Sequence, residues 1–76
     1  MLQEYANDTV LREHLERAQR YVTEGRLHVQ RQRAVIRGLE SGGYDSREAR
    51  WLLSTIEDLL QMHVRDRDRL RELAWM

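Results

Sequence analysis

The chain has 76 residues, with thirteen basic residues balancing thirteen acidic ones, three histidines, no cysteine and no proline. A domain this small buries only about 60% of the surface its unfolded chain exposes, and without cysteine neither disulfides nor thiolate metal sites can reinforce it. The balanced charge excludes a global field drawing the protein to nucleic acid or an anionic membrane, so burial against another copy is the expected reinforcement.

The first ten residues, Met1 to Val10, carry Glu4 and Asp8 and no basic cluster followed by an apolar run, unlike a signal peptide. No stretch approaches the roughly 18 apolar residues of a membrane span. A cytoplasmic location with no membrane partner is the expectation. Every basic residue is arginine, which fits a codon bias and carries no functional inference.

From there the residues Leu11, Leu15, Ala18, Val22, Gly25, Val29, Gln32, Ile36 and Leu39 recur at alternating steps of four and three. This is a heptad seam, and it predicts one helix from about Asp8 to Glu40, roughly 50 Å long at 1.5 Å per residue. Ala18 and Gly25 are small where leucine is usual. Gly25 gives up about 1 kcal/mol of helix propensity relative to alanine, and close approach of a second backbone would offset it.

The segment 41–45, Ser-Gly-Gly-Tyr-Asp, is the one strong chain break. A glycine pair suits the left-handed residue that ends a helix. Asp45 reads as the cap of the next helix, with Glu48 three residues on completing a capping box and with Tyr44 and Ala49 at staple positions. The second helix, 46–74, repeats the seam through Ala49, Leu52, Ile56, Leu59, His63, Asp66, Leu70 and Leu73.

A short turn forces the two helices antiparallel, with Ile36 near Arg50 and Val22 near Val64. The expected fold is therefore all-α, a single-domain, coiled-coil-like helical hairpin over residues 1–76. Leu53 and Leu60 widen the second helix's apolar stripe sideways, and His14, Tyr21, His28 and Val35, spaced by seven, make a matching flank on the first. Each helix then needs two neighbours, which a homodimeric four-helix bundle supplies. The expected interface comprises Leu15, Tyr21, Val22, Gly25, His28, Leu53, Leu60 and His63.

The residues Gly25, His28, Gln32 and Arg33, then Asp45, Ala49, Leu52, Leu53, Thr55, Glu57, His63 and the run Asp66-Arg67-Asp68-Arg69-Leu70 carry a family likeness. Over residues 10–72 the chain resembles a group of short uncharacterised alphaproteobacterial proteins. In these a Gly-x-x-His-x-x-x-Gln stretch precedes a glycine turn and a His-x-x-Asp-Arg-Asp-Arg-Leu stretch follows it. The resemblance implies a helical fold and brings no activity with it. Tyr21 and Tyr44 stand where that group often carries histidine.

His63 and Asp66 occupy seam positions beside Arg67, so a polar layer is expected to interrupt the core and to fix register and partner number. If two hairpins pair about a twofold axis near Gly25, His28 of one approaches His63 of the other, with Asp66 and Glu24 nearby. His28, His63 and Asp66 are then candidate ligands for a divalent ion such as zinc, or a cluster that titrates near neutral pH. The paired Glu-x-x-His pattern of di-iron bundles is absent.

The stretch from Arg26 to Arg37 holds four arginines, Arg26, Arg31, Arg33 and Arg37, and no acid. A solvated face paired with Glu57 and Asp58 is one reading, and a small nucleic-acid-associated regulator the other. No nucleic-acid reading motif accompanies the band. Trp51 and Trp75 fall off the seam, where Trp51 either covers the turn beside Tyr44 or marks a docking surface for an unidentified protein partner. Nothing points to catalysis: there is no cysteine, no serine with a histidine in helical reach and no phosphate-binding loop. The sequence thus predicts a non-enzymatic, self-associating structural or adaptor module without a resident cofactor.

Overall fold

In the computed structural model the chain forms two helices, α1 (Leu2–Ser41) and α2 (Arg47–Trp75), in an antiparallel hairpin 63 Å long and 15 by 13 Å across. The structure describes residues 2–75, and the side chains of residues 8–74. The Trp75 side chain considered above thus lies outside the described residues. α1 begins at Leu2, six residues before the predicted start at Asp8. No glycine or proline precedes Gly25, so nothing obliges the helix to wait for Asp8.

On α1 every predicted seam residue, from Leu11 through Leu39, is buried or half-buried. Ala18, Val22, Val29 and Ile36 are the buried hydrophobic residues among those described, and all four belong to α1. On α2 the seam differs from the prediction. Ala49, Leu53, Ile56, Leu60, His63, Asp66, Arg67 and Leu70 are half-buried, whereas Leu52, Leu59 and Leu73 are exposed. The adjacent leucines 52–53 and 59–60 offer two apolar stripes about 100° apart, and the hairpin takes the stripe of Leu53 and Leu60.

Gly25 decides between them. A Cβ on Gly25 would stand 3.0 Å from Leu60 Cδ1 and 3.8 Å from Leu60 Cα, so the close approach at this glycine occurs within one chain. Gln32 Nε2 donates to the Ala49 carbonyl at 2.9 Å, which ties the helices together nearer the turn. Seven-residue steps from the Gly25–Leu60 pair set Ala18 level with Arg67. Ala18 is small, and the Arg67 side chain, only 16% exposed, lies in the seam with its guanidinium bonded to Asp68.

The turn closes by hydrogen bonding. Tyr44 N–H reaches the Leu39 carbonyl at 2.8 Å and Gly43 N–H the Glu40 carbonyl at 3.1 Å, which together form a Schellman motif. Its left-handed residue is Gly43, at φ +75°. Gly43→Ala is therefore expected to lower stability by about 1 kcal/mol, the cost of a Cβ in that conformation, read from urea unfolding at fixed protein concentration.

Asp45 Oδ1 accepts the Arg47 N–H at 3.0 Å and so caps the first turn of α2. Glu48 makes no return bond among the described residues; the Arg47 guanidinium holds Asp45 instead, at 2.7 Å. Tyr44 is 70% exposed, too open to serve as a hydrophobic staple.

Across the turn, Glu40 pairs with Arg50 and accepts the Ser46 hydroxyl at 3.2 Å. The Arg50 hydrogen bond, aided by Ser46, holds the Glu40 carboxyl below its usual range. The Arg47 side chain, then its backbone N–H, does the same for Asp45. A carboxylate whose pKa is depressed on folding stabilises the fold above its unfolded value, and that contribution is lost as pH falls through the folded one. The thermal midpoint is expected to drop on acidification below about pH 4, and Glu40→Gln to flatten part of that slope.

Candidate interaction surface

A two-helix hairpin has two broad sides, and here their chemistry differs. On one side the interhelical flank is ionic. Arg33 bonds Glu57 at 3.3 Å, Arg50 bonds Glu40, and Arg26 and Gln61 line the shallow groove between them. Opposite charges at these positions pair within the chain.

The other side carries no such pairs among the described residues. Its flank on α1 is the seven-residue series His14, Tyr21, His28 and Val35, all exposed. On α2 the corresponding series is Leu52, Leu59, Asp66 and Leu73. Between them runs a groove lined by Tyr21, Glu24, His28, Leu59 and His63, with Ile56 and Leu60 below. The Tyr21 and His63 rings meet at a centroid distance of 5.3 Å, tilted by 35°. All three histidines of the chain thus accompany the exposed apolar residues of this side.

The predicted interface residues divide accordingly. Tyr21, His28 and His63 lie on the open side. Val22, at 2% exposure, and the half-buried Leu15, Gly25, Leu53 and Leu60 lie along the seam between α1 and α2. Leu52, Leu59 and Val35 form the apolar part of the open side. Leu52 and Leu59 were assigned to the seam by the sequence because each stands beside the leucine that fills it.

Of the candidate metal ligands, His28 and His63 share the groove, and His63 and Asp66 line a neighbouring open depression with Arg69. Asp66 is half-buried and accepts a hydrogen bond from Arg69 at 2.6 Å. Arg67, one position along the helix, is half-buried in the seam as well, with its side chain 16% exposed. Among the described residues of one chain, no group of three His, Asp or Glu side chains could hold a metal ion. No buried side-chain polar atom there lacks a partner.

The arginine band does not form one face. Arg26, Arg33 and Arg37 fall within about 40° of one another on the ion-paired side, whereas Arg31 stands on another flank of α1 at 100° per residue. Trp51 is 70% exposed and does not cover the turn. No described helix is long and apolar enough to cross a membrane. Comparison with family models, curated proteins and solved structures finds no match to this chain.

Proposed function

We propose that this chain is a non-enzymatic, self-associating helical interaction module whose working form is a homodimeric four-helix bundle. The observation that carries this is the apolar side left open by a hairpin with little core of its own. The hairpin exposes 6519 Å², against about 4,900 Å² for a compact monomer of its mass. The excess of roughly 1,600 Å² is about twice what one partner buries in a standard interface. A seam plus one apolar flank on each helix is the pattern of a bundle core, not of an isolated pair.

A bundle of this kind serves as a structural or adaptor element, presenting its outer surface, including Trp51, to other proteins. Sedimentation equilibrium tests the reading directly. A mass twice the 9.2 kDa of the chain is expected at micromolar concentration. A strictly monomeric, fully helical species at tens of micromolar would overturn it.

A further inference from the structure

Two twofold arrangements would cover the open side: hairpin turns at the same end of the bundle, or turns at opposite ends. Both give every helix antiparallel neighbours, so topology does not choose between them. The charges at the edge of the open side do. Beyond Tyr21 and His28, the next series outward on α1 is Arg17, Glu24 and Arg31; on α2, beyond Leu59, it is Glu48, Thr55, Met62 and Arg69. Among the described residues, Arg17, Glu24, Arg31 and Glu48 have no ion pair within the chain, and Arg69 has Asp66.

With the turns at the same end, α1 lies over α2 of the second copy, level with level. The Gly25–Leu60 register then sets Arg17 against Arg69 of the partner subunit, twice by symmetry. Glu24 meets Met62 of the partner subunit and Arg31 meets Thr55 of the partner subunit. That arrangement offers two like-charge contacts and no compensating pair.

With the turns at opposite ends and the axis near His28 and Leu59, α1 lies over α1 and α2 over α2. Glu24 then meets Arg31 of the partner subunit, and Arg69 meets Glu48 of the partner subunit, each twice. Tyr21 lies on Val35 of the partner subunit and Leu59 on Leu59 of the partner subunit. Asp66, held by Arg69, faces Leu52 of the partner subunit. Moving the axis along α1 to Glu24 sets Arg17 against Arg31 of the partner subunit, so the charges disfavour that position.

We infer that a second copy of this chain covers the Tyr21–His28–Leu59 side head to tail, about a twofold axis at His28 and Leu59, with Glu24–Arg31 pairs between the copies. This rests on the proposed self-association and adds which way the copies face. Two measurements test it, and the absence of native cysteine makes the first direct.

A spin label on Tyr44→Cys should give a turn-to-turn distance of about 45 Å, since each turn lies some 15 residues from the axis at 1.5 Å per residue. A distance under about 25 Å would place the turns together and overturn the arrangement while leaving dimerisation intact. In the second measurement, Glu24→Arg and Arg31→Glu should each raise the dimer dissociation constant roughly tenfold, and the double variant should restore it. The two residues are seven positions apart on one helix, too far to pair within a chain, so recovery must act between copies. Dimers whose double variant shows no recovery would overturn the assignment of these pairs. Absence of any dimer would overturn the self-association itself.

Discussion

Gly25→Leu is expected to destabilise the hairpin by about 2 kcal/mol, a large part of the stability of so small a domain. Leucine recovers about 1 kcal/mol of helix propensity over glycine. Against this, its first side-chain atom would already lie 3.0 Å from Leu60 Cδ1 and 3.8 Å from Leu60 Cα. The atoms beyond it must displace the Leu60 side chain or crowd into the groove that Gly25 helps to line, and overpacking of this kind costs about 1–3 kcal/mol.

Gly25→Ala provides the control. Its single methyl meets the far end of the flexible Leu60 side chain, which can rotate away, so propensity and crowding should nearly cancel, leaving a change within about 0.5 kcal/mol. Urea unfolding at matched concentrations measures both, since association contributes to apparent stability. A Gly25→Leu chain as stable as the parent would show that the helices do not approach at this level.

Leu59→Glu should act on association. Leu59 is 49% exposed in the single hairpin, so the substitution removes little from the intramolecular seam. In the proposed head-to-tail dimer the same position would come from both copies to the axis, where two leucines would become two neighbouring carboxylates shielded from water. Loss of apolar burial and the cost of desolvating charge together should raise the dissociation constant at least about 100-fold.

Leu27→Glu is the matched comparison: Leu27 is also exposed, lies one residue from His28, and points away from the open side. Its mass in sedimentation should equal that of the parent. Equal loss from both variants would indicate general unfolding, which circular dichroism on the same samples detects.

The fold was largely legible because its signals are local. Four-and-three spacing on α1 marks every residue that the hairpin shields, and the glycine pair with Asp45 marks the turn. The face of α2 was not legible, because Leu52 and Leu53, then Leu59 and Leu60, satisfy a heptad equally well from adjacent positions. Only the partner helix distinguishes them, through the space at Gly25 that receives Leu60.

The same rotation explains Asp66 and Arg67. Spacing put the carboxylate in the seam, whereas the structure bonds the half-buried Asp66 to Arg69 and encloses the neighbouring Arg67 side chain more fully. The start of α1 was misread for another reason. Asp8 is a residue type that caps helices, but a cap acts only where the chain has cause to leave the helix.

The Schellman turn also bears on the order in which the hairpin assembles. Gly43 and Tyr44 bond back to Glu40 and Leu39, and Arg50 reaches Glu40 across ten residues of chain. These contacts close the shortest loop and form with the least loss of chain entropy. Each further layer, Ile36 with Ala49, then Val29 with Ile56, then Val22 with His63, extends a closed end by one step. Folding of this kind zips outward from the turn and is fast because its contacts are local to the growing end. Opening runs in reverse, so backbone amide protection should decline along both helices with distance from Gly43.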